Sequence, residues 1–564
     1  MNRAAIHHEP LSHLAFAADQ STLVFRLITA KEDKLDVFFR YGDTAFQGHP
    51  VPFESIPMAD IAETQNHRIF ECQLSNSFPR LVYYFEIQEG ATKTYYYADH
   101  FHDTLSSLRN DFFKYPYHQI SDVISIPKWY QESVVYNIFP DSFTGSLSLS
   151  KDCENETRQR HGGTLKAILE RLDYIEELGI TCIYLNPIFR AGEYHKYDTT
   201  DYFEIDPCFG TKEDFRTLVD ALHARGMAIV LDGVFNHVGH SFAPFKAWLK
   251  DPTGQYKDWF FPLQNDIYYP DESTPQALPY ASFGYERHMP KINVAHPDVQ
   301  AYFLNVARYW METFSIDGWR LDVADEAHYN FWRKFRATVK SINPEAILIA
   351  ENWQTSRGYL DGSTFDGLMN YDLMNHIKAF WASQTLTAQQ FGERLHYQLT
   401  RYRTMHTQSQ LNFLNSHDVP RLFSLIDHRL ELMAQALVFL FTFTGVPMIY
   451  YGDEIPLGGL SEDEYRQAMP SNTQAQFYDL IKWLANHRKK HPEWVYGRFN
   501  VLPHDSKDML IYSKTLNSEK VIVMINRSAE TQPIPDFKGT ELISKHSKAT
   551  SMGPYGYIIL HQGD

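Results

Sequence analysis

The chain has 564 residues, and 52 Lys+Arg against 69 Asp+Glu leave a formal net charge of −17. With 44% hydrophobic and 21% charged residues it has the composition of a folded chain of several domains, which excludes dominant disorder. The acidic balance argues against a nucleic-acid or membrane-surface binder, because like charges repel.

The first 125 or so residues carry short runs rich in β-branched and aromatic side chains. These are STLVFRLI, KLDVFFRYG, HRIFECQL, LVYYFEIQ and TKTYYYAD, separated by polar or Gly-containing breaks. Such spacing predicts a β-sandwich over 1–125. The Pro-bearing stretch YPYHQISDVISIPKWYQES reads as a linker, and His7, His8 and His13 are expected in solvent.

From Ser133 eight apolar runs alternate with amphipathic segments: VVYNIFPDSF, CIYLNPIF, MAIVLDGVFNH, IDGWRLDVAD, AILIAENW, FDGLMNY, QLNFLNSHD and PMIYYGDE. Helical stretches such as LKAILERLDYIEELG and EDFRTLVDALHARG end at Gly, a usual C-terminal stop. Buried strands alternating with helices predict an α/β fold with a parallel sheet, here a (β/α)8 TIM barrel over 126–497. The aromatic-rich stretch 238–295 is too long for a simple loop and is expected to form a subdomain after the third strand. Strand patterning returns after Arg498 in DMLIYSK, KVIVMINR and YGYIILHQ, which predicts a C-terminal β-domain over 498–564.

Leu432 to Tyr451 is uncharged, but GVP interrupts it and GDE follows, so a buried helix, a loop and a buried strand are expected rather than a membrane span. The start has no apolar run of signal-peptide length. Four scattered cysteines (Cys72, Cys153, Cys182, Cys208) imply no disulfide framework. A cytoplasmic protein is the resulting expectation.

Polar residues recur at the C-terminal ends of the eight runs: Asp141, Asn186, Asp232 with His237, Asp322, Glu351, Asn370, Asp418 and Asp453. Chemistry on this fold sits on that face. Arg320 and Asp322 lie two apart on a strand, so their side chains share a side, and the cation favours an ionised Asp322 suited to nucleophilic attack. Glu351 closes an apolar strand with Trp353 two residues on, a setting that suits a general acid. With Asp418 as a third carboxylate, the set matches glycosidic-bond cleavage with retention. Asp232, His237, His417 and Asp322 form a weaker alternative metal set, because they lack metal-binding helix or cysteine spacing. There is no GxxxxGK[ST], strand-anchored GxGxxG or GxSxG motif.

DGVFNH (232–237), GWRLDVADE (318–326), AENW (350–353) and NSHD (415–418) resemble, in order, the four conserved regions of α-amylase-superfamily glycoside hydrolases. MPKIN (289–293), HKYDTTDYFEIDPCFGTKEDF and the extra N-terminal domain resemble the cyclomaltodextrinase, maltogenic amylase and neopullulanase group. The resemblance implies Asp322 as nucleophile, Glu351 as acid/base and Asp418 as transition-state stabiliser, with Arg320 orienting the nucleophile. It implies that His237 and His417 bond sugar hydroxyls, that Tyr197 stacks under the sugar beside His195, and that Glu326, Glu462 and Arg466 bind substrate. VADE in place of the group's VANE puts a carboxylate at Asp325, and Glu462 stands where the group tends to have Asp. The implied substrates are cyclodextrins and short maltodextrins, with transglycosylation, and the implied partner is a second copy docked through the N-terminal domain. Maltogenic amylase, neopullulanase and α-glucosidase activities are the alternatives within the enzymes, and a non-catalytic carbohydrate-binding protein is the alternative outside them. No metal or organic cofactor is required by this chemistry. Calcium occurs in relatives as a structural ion, although no loop has EF-hand spacing.

Overall fold

The computed structural model describes residues 1–75, 80–143, 161–270, 277–354, 356–470, 475–548 and 550–563. Cys153 lies outside them. Two compact units emerge. One comprises Met1–Ile126, Gln384–Gln408 and Tyr496–Asp564; the other comprises Pro127–Ser383 and Ser409–Val495.

In the first unit the N-terminal runs form two antiparallel sheets. Thr22–Ala30 pairs with His67–Ser75 in one, and Asp36–Asp43 pairs with Leu81–Glu89 and through it with Thr92–Tyr97 in the other. Phe25, Phe39, Tyr83, Phe85 and Phe113 fill the space between them, as alternating strand faces require. The expected linker begins inside this domain, since Phe113–Tyr115 pairs with Leu81–Tyr83. His8 departs from the expectation of solvation. It is buried, with Nδ1 2.7 Å from the Arg26 carbonyl and Nε2 2.9 Å from the Tyr83 hydroxyl, and burial pushes its pKa down to about 3. The same unit holds the helix Ala388–Thr400, opened by a Thr387–Gln390 capping box. Arg26 donates to the carbonyl of Tyr402 just beyond it. The C-terminal strands Met509–Leu516, Glu519–Asn526 and Ser551–Gln562 form an antiparallel sheet over a core of Met509, Ile522, Met524 and Ile558.

The second unit contains eight parallel strands: β1 (Val135–Ile138), β2 (Cys182–Leu185), β3 (Ala228–Gly233), β4 (Gly318–Leu321), β5 (Ile347–Ala350), β6 (Gly367–Leu368), β7 (Leu411–Phe413) and β8 (Val446–Tyr450). They follow one another from β1 to β6, with β8 against β1 and β7 against β8. A parallel bridge from Met369 to Leu411 links the two ends of the sheet. Strand alternation divides the side chains. On β4, Arg320 points into the barrel, while Trp319 packs outward against Phe335 of the helix Tyr329–Ile342 at 6.1 Å. Trp310, Phe314, Phe303 and Phe331 extend this aromatic layer between strands and helices.

Local signals set the helix ends. Thr211 and Asp214 form a capping box before Lys212–Ala224, and Gly226 follows at φ +69°. The LKAILERLDYIEELG stretch forms two short helices, Leu165–Leu169 and Leu172–Glu177, rather than one. Leu430–Thr442 is a mostly apolar helix, buried from Leu432 onward and followed by β8, and no helix among the described residues is long and apolar enough to cross a membrane. Within the insert 238–295, Trp248, Trp259 and Phe260 are buried. Cys72 and Cys182 are free and buried, while Cys208 is disulfide-bonded, a single cross-linked cysteine among the described residues where no disulfide framework is expected.

Candidate active site

The C-terminal ends of the barrel strands open into a cavity of about 650 Å³. His195, Tyr197, His237, Asp322, Glu326, Glu351, Asp418, Glu462 and Arg466 line it. Arg320 and His417 are fully buried and bond to groups in its wall. Residues from widely separated parts of the chain are thus brought to one opening.

Arg320 organises the floor. Its Nη1 lies 2.8 Å from Asp322 Oδ1 and 2.8 Å from Asp232 Oδ1, and its Nη2 is 2.9 Å from Glu351 Oε2. The last is a close ion pair rather than an aligned hydrogen bond. One guanidinium therefore faces three carboxylates in a dry setting, which favours retention of a proton within the cluster. This changes the expectation for Asp322. Burial, then the charge of Glu351, push its pKa well above the usual carboxylate range, with Arg320 opposing. The cation inferred from the strand pattern is present, but it is shared. Asp232, which also accepts from the hydroxyls of Tyr184 (2.6 Å) and Tyr197 (3.0 Å), is pushed up mainly by burial.

Glu351 follows β5 and has donors on both oxygens. Oε2 accepts from Val323 N at 3.1 Å; Oε1 accepts from Trp353 Nε1 at 3.0 Å and from the Tyr371 hydroxyl at 3.3 Å. Asp418 sits between His417 Nε2 (2.9 Å) and Arg466 Nη2 (3.2 Å). Burial opposes its ionisation, but His417 and then Arg466 outweigh that and hold its pKa well below the usual range. Asp322 on Arg320 and Asp418 on Arg466 thus have opposite electrostatic settings.

His237 is buried with its ring stacked on Phe283 at 5.0 Å, and burial, then the charge of Lys291, lower its pKa to about 3. It is a neutral imidazole whose Nε2 has no protein partner among the described residues, at the cavity wall. The Tyr197 ring lies parallel to His417 at 5.4 Å, and its backbone N–H donates to His195 Nδ1 at 3.0 Å. Arg466 Nη1 bonds Glu462 Oε1 at 2.6 Å and the Tyr194 hydroxyl at 2.9 Å, so the pair expected from their four-residue spacing forms.

Several lining residues carry no sequence signal of their own. Glu193, Tyr194, Phe283, Glu286 and His288 come from the loop after β2 and from the long insert, where no periodicity marks a face. Lys291 of MPKIN joins the loops after β3 and β4, because its Nζ bonds both Asn236 Oδ1 and the Glu326 carbonyl (2.7 Å). Trp248, Trp259 and Phe260 are core, not lining. Asp141, Asn370 and Asp453 also hold structure rather than face the cavity. Asp141 accepts from the Gly162 N–H, Asn370 caps the helix Tyr371–Trp381, and Asp453 bonds Asn415 at 2.7 Å.

Residues 137–495 match the α-amylase catalytic domain, and residues 1–119 match the α-amylase N-terminal Ig-like domain. A cyclomaltodextrinase of Geobacillus thermopakistaniensis is 37% identical, with 99% of each chain covered. An intracellular maltogenic amylase of Bacillus subtilis (strain 168) is 34% identical over 95% of this chain and 92% of its own. A solved cyclomaltodextrinase structure superposes with a TM-score of 0.91 at 31% identity, covering 100% of both chains. The chain belongs to the α-amylase family of glycoside hydrolases and carries that family's N-terminal Ig-like domain.

Proposed function

We propose that this enzyme cleaves α-1,4 bonds of cyclodextrins and short maltodextrins with retention, with Asp322 as nucleophile and Glu351 as acid/base. The observation that carries the reading is the shared contact of Asp322 and Glu351 with Arg320 at the wall of one cavity that also exposes Asp418. Two carboxyl groups held on one guanidinium at one cavity fit the requirement that one attacks while the other protonates. Asp322 bonds the anomeric carbon as Glu351 releases its proton to the departing oxygen. Water, or an acceptor sugar hydroxyl, then gives its proton to Glu351 and displaces Asp322. Asp418, ionised between His417 and Arg466, holds sugar hydroxyls, and neutral His237 offers an unpaired ring nitrogen to another.

The chemistry is acid–base and nucleophilic throughout, so no organic cofactor enters it; calcium would have a structural role only. The names of the relatives support the substrate class and a site of action inside the cell. A homodimer through the N-terminal domain is proposed as well, on the exposure of Phe46, Leu105 and Leu108. Sedimentation of a single monomeric species at micromolar concentration would remove the dimer.

Product analysis with β-cyclodextrin, maltotriose, pullulan, starch and maltose tests the substrate reading. Ring opening of β-cyclodextrin faster than starch hydrolysis is expected. Rapid starch turnover with negligible cyclodextrin turnover contradicts it, and no turnover of any of the five leaves a carbohydrate-binding protein.

A further inference from the structure

We infer that Trp353 is a positioning residue that sets when Glu351 holds its proton: its indole N–H supports the ionised carboxylate required in the second half of the reaction. This rests on the acid/base reading of Glu351.

The two oxygens of Glu351 are not equivalent. Oε2 accepts from the Val323 N–H and faces the Arg320 guanidinium at 2.9 Å, which keeps a proton off that atom. The exchangeable proton therefore belongs on Oε1. That oxygen has two neighbours of different kinds. Trp353 Nε1, at 3.0 Å, can only donate; the Tyr371 hydroxyl, at 3.3 Å, can donate or accept. Tyr371 thus serves both protonation states by turning its hydrogen. Trp353 serves the ionised state best, because a donor aimed at a carboxylate favours its charge. The indole is held in place by stacking on Tyr371, with ring centroids 3.8 Å apart and planes 15° from parallel. It is nevertheless 47% exposed and lines the cavity, so it can be altered without opening the core.

The other charges facing Glu351 make this donor matter. Asp322 and Asp325, at and just beyond the end of β4, oppose a second negative charge; Arg320 favours it; Tyr184 and Tyr371 are neutral hydroxyls raised by burial. In the first step the Oε1 proton moves to the glycosidic oxygen as its bond to carbon breaks and Asp322 bonds that carbon. Oε1 is then ionised and takes up the indole N–H. In the second step a water proton moves to Oε1 while the water oxygen bonds the carbon and Asp322 leaves.

The test is the pH dependence of kcat/KM for maltotriose with the full-length enzyme and its Trp353→Phe, Trp353→Leu and Tyr371→Phe variants. Loss of the indole donor is expected to move the basic limb upward by about one pH unit with the acidic limb in place. Leu and Phe should give the same shift, because the N–H and not the stacked ring carries the effect, and Tyr371→Phe should move the limb by less. An unmoved basic limb in both Trp353 variants overturns the inference, as does a joint shift of both limbs or a larger shift in Tyr371→Phe. Glu351→Gln separates this from the catalytic reading. If that variant is inactive while the Trp353 variants keep the parent limb, only the role of Trp353 fails; if it keeps the parent rate and limb, the acid/base assignment itself fails.

Discussion

Arg320 Nη1 lies 2.8 Å from Asp322 Oδ1, two residues on and just past the end of the same strand. The contact follows from strand alternation alone, yet its consequence depends on what else the guanidinium touches. Asp232 from β3 and Glu351 after β5 reach the same group, so Asp322 keeps only part of the stabilising charge.

Replacing Arg320 with Met should therefore do more than slow the reaction. Three buried carboxylates would lose their cation, at a cost of roughly 3–5 kcal/mol in stability. Turnover should fall by more than about a hundredfold, as for loss of a preorganised electrostatic group. Chemical denaturation and steady-state kinetics on the same variant check both halves, and a variant of parental stability would contradict the sharing of one cation.

The Arg466 network should show itself on the acidic side of the pH profile. Arg466 is the second of the groups that keep Asp418 ionised, after His417. In Arg466→Met the Asp418 carboxyl should take up a proton at higher pH, so the acidic limb of kcat/KM should move upward. Glu462→Gln is expected to act mildly, raising KM about two- to fivefold with little change in kcat. Its ion pair with Arg466 is partly exposed, and such pairs contribute only about 0.2–1 kcal/mol.

His8 gives a stability prediction in the N-terminal domain. Its folded pKa is lowered from 6.5 to about 3, so between those values the unfolded chain binds a proton that the folded chain does not. Stability is then full above about pH 6.5 and falls as the pH drops through that window, by roughly 3–5 kcal/mol in total. His8→Gln should lower stability at pH 7 by removing the bond to Arg26 or to Tyr83, but should flatten the decline between about pH 6.5 and 4. Urea unfolding across that range measures the slope, and equal slopes in both proteins would count against a buried neutral His8.

Sequence patterning reveals most of the architecture because the barrel strands are buried on both faces and the helices have their stops marked. Gly226 and the Thr211–Asp214 box are local signals that survive without tertiary context. The Glu462–Arg466 pair is legible for the same reason, being four residues apart on one turn. Contacts across the fold are not. Lys291 reaching Asn236 and Glu326, Tyr194 bonding Arg466, and the His8 ring enclosed by Tyr83, Phe85 and Phe113 depend on which loops meet, and no spacing encodes that. The electrostatics of Asp322 escapes the sequence for a related reason: the neighbouring cation is visible on its own strand, whereas the competitors for it come from two others.

The most direct measurement traps the covalent intermediate. Incubating Glu351→Gln with α-maltosyl fluoride, whose leaving group needs no proton, should form the glycosyl-enzyme and stall it for want of a base to activate water. Peptide mass mapping should place one maltosyl group on Asp322, and the Asp322→Asn/Glu351→Gln double variant should remain unlabelled. Label on another residue, or equal labelling of the double variant, would contradict the account.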